Sequence, residues 1–392
     1  LALLVAVPVV LSGWPRWLRR TGWWLAGAGM VLAVGYYLMA STPALREQMA
    51  GSKYYPRNFA GWQPLAVAVH EELRQMPEGT RVLAGNFKVG AELGFQLGNG
   101  NIEVLPHPLN DKHGRTAQLA QWGLLHEGER TAPMLLVLSP SDQRYRELLE
   151  RYHAICDQVG PMPAPRVVSS DHGFQRFLLF RLPVQRAEGP CVTPAMAWLD
   201  APSNGEKVSG TFAIKGWAFK DGVGLARVEV LVDGRSIGDA RYGRVFDVRP
   251  VWPDSTDPQH PAVGFDASLD TTTLAPGRHW LGLRLYGRDG SVEQWQEQPF
   301  EVRGGLCFCR VEPCSTAFSG PPAVYSRSSR AGLDATVQGT AKPALRSNPH
   351  TAISGRPTNA VGSRLSMASN RLMPRPSHLK LPAQSSGCSV VT

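Results

Sequence analysis

Nine consecutive positions, His107 to Arg115 in HPLNDKHGR, hold two histidines, a lysine, an arginine, an asparagine and an aspartate. Lys112, His113 and Arg115 are residue types that bind phosphate or sugar oxygens, arginine as a planar bidentate fork and lysine as a point charge. Asn110 adds an amide that both donates and accepts. Asn86 and Lys88 in GNFKVG make a second polar group. Both groups follow short strand-like runs and precede helix-like ones. That is the edge where α/β sheets bind ligands and where helix N-termini favour anions. Asn86, Lys88, Asn110, Lys112, His113 and Arg115 are therefore the candidate substrate-binding residues. A purely structural reading competes: Asp111 pairs with the neighbouring cations, and Asn110 caps the helix carrying Leu119 and Trp122.

Other constellations carry less. His107 and His113 could ligate a metal, but their six-residue spacing in a Pro-containing loop offers no organised third ligand. Ser169, Ser170, Asp171 and His172 are adjacent without the strand-turn-helix context of a nucleophile elbow. Asp221, Asp233 and Asp239 lack calcium-loop spacing and read as turn residues. Trp217, Trp280 and Trp295 could form a sugar-stacking face or pack in a core. Tyr54 and Tyr55 either touch a lipid-linked substrate or anchor an interface. No pattern calls for a cofactor or a metal, and no catalytic residue is assigned.

The elements that must position these residues fall into a membrane segment and two soluble domains. Residues 22–40 are 19 successive positions without a charge, enough to cross a hydrocarbon layer of roughly 30 Å at about 1.5 Å per residue. Trp23, Trp24, Tyr36 and Tyr37 near the ends suit the interfaces. A second uncharged run, Leu1 to Trp14, lacks the basic leader of a signal peptide. It reads as a membrane helix entered midway, so the chain reads as a fragment and 1–41 as the truncated end of a multi-span core. Arg16, Arg19 and Arg20 form a tight turn between the runs and favour a cytoplasmic turn. Arg46, Lys53 and Arg57 on the other side equal them in number, but lead into a long domain that translocates largely regardless of charge.

After a juxtamembrane linker (42–60), residues 61–185 alternate helix and strand patterns, which predicts a small two- or three-layer α/β domain. Trp62, Leu65, Val69 and Leu73 recur at helical spacing, RVLAG (81–85) reads as a strand, and Asn86 caps a helix closed by Gly98. Met134 to Leu138 is a strand buried on both faces. Ser139 and Pro140 open a helix with Tyr145, Leu148, Leu149, Tyr152 and Ile155 on one stripe, and FQRFLLFRL (174–182) supplies a last strand. Beyond a short linker (186–195), residues 196–303 switch to period-two runs punctuated by Asp233-Gly234, Pro276-Gly277 and Asp289-Gly290. These predict an all-β, Ig-like sandwich, with 251–261 as a long loop.

From Gly304 to Thr392 hydrophobic periodicity is lost, which predicts either a disordered tail or an out-of-frame translation. That segment carries ten basic and two acidic residues, so +8 of the net +9 belongs to it. Only +1 is left for the first 303 residues, and nucleic-acid binding by a folded basic face is excluded. Cys307, Cys309, Cys314 and Cys388 lie in the same segment. Cys156 and Cys191 lie in foldable regions and are either a disulfide of an exported protein or two free thiols.

GSKYYPRNFAGW (51–62) followed by VLAGNFKVGAELGFQLGNGNIEVLPHPLNDKHGRTAQLAQWG (82–123) resembles the C-terminal part of bacterial membrane glycosyltransferases of the GT-C class. The resemblance is to the branch related to protein O-mannosyltransferases and lipid A aminoarabinose transferases, and it covers about residues 1–185. It implies a lipid-phosphate-linked sugar donor, a periplasmic lipid or protein acceptor, and a multi-pass protein of the bacterial inner membrane with periplasmic C-terminal domains. It also implies a catalytic carboxylate in an early external loop that has no counterpart here. The sandwich has no place in that resemblance, and a membrane-tethered, non-enzymatic glycan- or protein-binding protein is the alternative.

Overall fold

The computed structural model describes residues 9, 10 and 12–303. The expectations for the start of the first apolar run and for the tail after Arg303 fall outside the described residues. Helix α1 (Arg16–Ser41) has the length and composition of a membrane anchor or a signal sequence, with mean hydropathy 1.4 over its most apolar window. At about 1.5 Å per residue it exceeds a hydrocarbon layer of roughly 30 Å. Arg16, Arg19 and Arg20 do not form a turn. The chain turns at Gly13 and Trp14, Pro15 precedes the first helical residue, and the arginines, good helix formers, open α1. The stretch after α1 is more than a linker, because it forms helix α2 (Pro43–Gln48) and a 3-10 turn at Arg57–Phe59.

The α/β domain contains, in chain order, α3 (Trp62–Gln75), β1 (Arg81–Ala84), α4 (Phe87–Leu97), β2 (Glu103–Val104), α5 (Pro108–Lys112), α6 (Thr116–Gln121), β3 (Met134–Leu138), α7 (Leu148–Val159), β4 (Arg166–Ser170) and β5 (Gln175–Leu182). The sheet order is β2-β1-β3-β5-β4, with β2, β1 and β3 parallel and β5 antiparallel to both its neighbours. Strand alternation sorts the core into two layers. Val82, Leu135, Val137, Phe177 and Leu179 face Trp62, Leu65 and Val69 of α3 and Val89 and Leu93 of α4. Met134, Leu136, Leu138, Leu178 and Phe180 face Leu149, Tyr152 and Ile155 of α7. Helices on both faces explain why MLLVL is wholly buried.

The expected helix from Ser139 begins instead at Leu148. Ser139 makes no cap, and Pro140–Asp142 is a single 3-10 turn. Tertiary partners stop the helix from starting: the Lys88 ammonium takes Asp142 at 2.6 Å, the Ser141 hydroxyl accepts from the Arg176 amide, and Gln143 meets His107. Tyr145 consequently leaves the α7 stripe and sits in its own 3-10 turn.

The all-β region comprises β6 (Met196–Ala201), β7 (Glu206–Val208), β8 (Thr211–Phe219), β9 (Leu225–Val232), β10 (Arg235–Asp239), β11 (Arg241–Arg244), β12 (Gly264–Asp270), β13 (Gly277–Gly287), β14 (Val292–Gln294) and β15 (Gln298–Val302). Two sheets, β10-β9-β13-β15-β7 and β11-β12-β8-β6, make an Ig-like sandwich, and β14 pairs with β13. Ile214, Val228, Val230, Leu283 and Phe300 fill its core, which continues into the α7 face of the α/β domain as one hydrophobic cluster. The last part of the segment joining the two domains, from Cys191, is packed. Cys191 is disulfide-bonded to Cys156 at the end of α7, and the Met162 and Thr193 amides donate to Val192 and Asp221 carbonyls.

Candidate functional site

The C-terminal ends of β1 and β2 bring the two sequence-selected polar groups together around Phe87. Asn86 is the N-cap of α4, and its side-chain oxygen accepts from the Lys88 and Val89 amides. Asn110 does not cap α6. It is fully buried in α5, where its oxygen accepts from the Phe87 amide at 2.9 Å and its nitrogen donates to the Leu105 carbonyl at 3.0 Å. Both functions of that amide are thus spent on joining the two loops. Lys88 is held by Asp142. Asn86, Asn110 and Lys88 therefore build the edge, and the side chains exposed on it are Lys112, His113 and Arg115.

Of these three, His113 packs against the Phe87 ring at 5.6 Å and the Arg115 guanidinium lies over the same ring at 5.9 Å. Asp111 accepts a bond from the Thr116 hydroxyl and does not pair with the cations. Arg115 and Gln118 stand on the rim of a groove of about 450 Å³ whose walls include Phe87, Ala91, Ile102, Leu119 and Trp122. Trp122 is 60% exposed. Glycine lets α4 pack close on β2 beside the groove: a Cβ on Gly90 would meet a Val104 methyl at 2.8 Å. The spacing Gly90-Ala91-Gly94 is a signal that sequence reasoning missed.

His107 is buried and structural. Its Nδ1 accepts from the Leu109 amide, which caps α5, and leaves Nε2 facing the Gln143 amide. Burial, with a contribution from the Arg151 guanidinium, lowers its pKa to about 3. His107 and His113 thus serve separate tasks and do not converge. Asp171 and His172 are also structural, both with φ near +50 to +60° in the tight turn between β4 and β5. His172 stacks on Trp280 at 3.7 Å and bonds Glu297 at 2.6 Å.

Trp217, Trp280 and Trp295 do not share a face. Trp217 and Trp295 are buried around Tyr145, whereas Trp280 belongs to the His172 stack. An exposed aromatic that sequence reasoning missed is Trp198, at 47% exposure and 5.3 Å from the Tyr145 ring. Tyr54 is exposed. Tyr55 instead donates to Asp171, and burial together with that carboxylate pushes its phenol pKa up.

Residues 196–281 match the bacterial Ig domain family, and that part of the chain is an Ig-like domain. No curated protein matches the chain. Among solved structures, similarity is found to the endo-beta-1,4-mannanase from Thermotoga petrophila at 14% identity and a TM-score of 0.20, covering 28% of this chain and 20% of that one. It is also found to fibronectin(III)-like modules of Clostridium thermocellum CbhA at 20% identity and a TM-score of 0.19, covering 28% of this chain and 97% of that one. CopC from Methylosinus trichosporium OB3b is similar at 18% identity and a TM-score of 0.17, covering 28% of this chain and 94% of that one.

Proposed function

We propose that this chain is the C-terminal portion of an integral-membrane glycosyltransferase of the GT-C class, which moves a sugar from a polyprenyl-phosphate-linked donor to a periplasmic lipid or protein acceptor. In this reading α1 is one of several spans of the bacterial inner membrane, and the α/β and Ig-like domains stand on the periplasmic side. The catalytic carboxylate belongs to a region outside this sequence, and the residues here bind and orient.

The observation that carries the reading is the groove beside α4. It combines apolar walls, fit for an isoprenoid tail, with Arg115 on the rim and Lys112 and His113 on the adjoining edge, fit for a phosphate. The Cys156–Cys191 disulfide agrees with an oxidising compartment. The matched Ig-like domain favours a second reading, a membrane-tethered binding protein without transferase activity.

The test is binding of undecaprenyl phosphate to the whole chain in detergent micelles, with undecaprenol as control. The expected result is a preference for the phosphate that the Lys112→Ala/Arg115→Ala double variant reduces roughly tenfold, two charge-assisted contacts being lost. Equal binding of phosphate and alcohol overturns the reading.

A further inference from the structure

The cleft between the α/β domain and the Ig-like domain has the makings of a second binding site, independent of the groove beside α4. It has a volume of about 530 Å³, and its walls include Arg57, Arg176, Trp198, Asp200, Asn204 and Gln296. Tyr145, thrown out of α7 by the interrupted helix, fixes the back of the cleft. Its hydroxyl donates to the Ala197 carbonyl at 2.7 Å, and its ring touches Trp198, Trp217, Trp252 and Trp295.

Two features of the wall ask for a ligand. Arg176 on β5 is only 6% exposed, yet no carboxylate among the described residues lies within ion-pair distance of it. Its guanidinium lies over the Trp295 ring at 4.0 Å and makes one long bond, 3.4 Å, to the Gln294 carbonyl. A buried cation normally has a charged partner, and among the described residues this one meets only the Gln294 carbonyl and the neutral Tyr152 hydroxyl. Trp198 on β6 is half exposed although it packs on Tyr145. Asp200, two residues along at a bulge in the strand, also lines the cleft and forms no ion pair among the described residues. The other acidic wall residue, Glu297, is already held by His172 at 2.6 Å. Arg57, on the rim, donates to the Ser141 carbonyl.

We infer that this interdomain cleft binds an acidic saccharide, with a sugar ring laid on Trp198, its hydroxyls on Asp200 and Asn204, and its anionic substituent on Arg176. A flat apolar indole beside acceptors and donors suits a pyranose, which has a C–H face and a hydroxyl edge. A carboxylate or phosphate on that sugar fills the bidentate positions of the guanidinium.

Intrinsic tryptophan fluorescence and calorimetry of the whole chain in detergent micelles test this, with trigalacturonate, glucose 6-phosphate, maltotriose and glucose as probes. At least one acidic probe is expected to bind roughly tenfold more tightly than its neutral counterpart. Which of the two does so tells carboxylate from phosphate. Trp198→Ala, at an exposed position, is expected to weaken binding about tenfold. Arg176→Gln is expected to remove the preference for the acidic probe while stacking persists. Should Arg176→Gln not fold, Arg176→Lys keeps the charge and loses the fork, and a smaller preference is expected. Failure of all four probes to bind, equal binding of acidic and neutral probes, or unchanged affinity in Trp198→Ala overturns the proposal.

Discussion

Asp171 receives the Arg46 guanidinium and the Tyr55 hydroxyl at 2.6 Å each, which ties the segment following the apolar helix to the β4–β5 turn. Arg46 also donates to the Ala40 carbonyl at the end of α1, so one side chain couples the helix to the α/β domain. Both partners are largely buried, and removing one leaves the other uncompensated. Arg46→Met is expected to cost about 3–5 kcal/mol and to expose residues 50–60 to protease. Denaturant unfolding together with limited proteolysis checks it, and a wild-type cleavage pattern contradicts the coupling.

A second buried charge organises the sandwich. Lys220 is 1% exposed and donates to Ser291 at 2.7 Å and Glu293 at 2.8 Å, while Glu293 accepts the Ala195 amide. Lys220→Met strands Glu293 and is expected to destabilise by about 3–5 kcal/mol, whereas Lys220→Met combined with Glu293→Gln recovers part of the loss. A double-mutant cycle by denaturant unfolding reads the coupling.

Two histidines give opposite pH dependences. His107, lowered to about 3 by burial, is neutral in the fold above that pH and takes up a proton on unfolding between about pH 3 and 6.5. Its contribution is therefore fully present above about 6.5 and falls as pH drops toward 3, with a slope of about 1.4 kcal/mol per pH unit for one proton. His153 is raised by its hydrogen bond to Asp221, so its contribution is present below about 6.5 and is lost as pH rises through the folded value. Unfolding free energies measured from pH 4 to 9 (roughly the window in which unperturbed carboxylates and histidines titrate) should show His107→Asn flattening the acid arm and His153→Gln flattening the alkaline arm.

The Cys156–Cys191 bond closes a loop with a sequence separation of 35. The chain-entropy relation assigns such a loop about 4 kcal/mol. Cys191→Ser is expected to lower stability by about that amount while leaving secondary structure in place. Unchanged thermal unfolding in the Cys191→Ser chain contradicts the assignment.

Much of this architecture was legible because local pattern and burial agree. Met134 to Leu138 is apolar at every position because helices cover both faces of its strand, and Asn86 followed by α4 and Gly98 shows both caps. The period-two runs of the sandwich correspond to its observed strands, and residues 196–281 are Ig-like. What was illegible is set by distant partners. The start of α7 moves from Ser139 to Leu148 because Lys88, His107 and Arg176, remote in sequence, take the side chains or backbone that a helix N-terminus needs. Asn110 sits in a loop motif that looks ligand-facing, yet its amide bonds Phe87 and Leu105. Trp198 and Arg176 gain their meaning only where two domains meet, and neither has a local signature.

The proposed transferase role is tested most directly by transfer in membranes. Inverted and right-side-out vesicles carrying the complete gene product would be supplied with a radiolabelled polyprenyl-phosphate sugar and periplasmic extract. Label is expected to move to a lipid or protein acceptor on the periplasmic face, at a rate lowered roughly tenfold by Lys112→Ala/Arg115→Ala. No transfer above vesicles lacking the protein, with the chain folded and inserted, contradicts the account and leaves the tethered binding protein in its place.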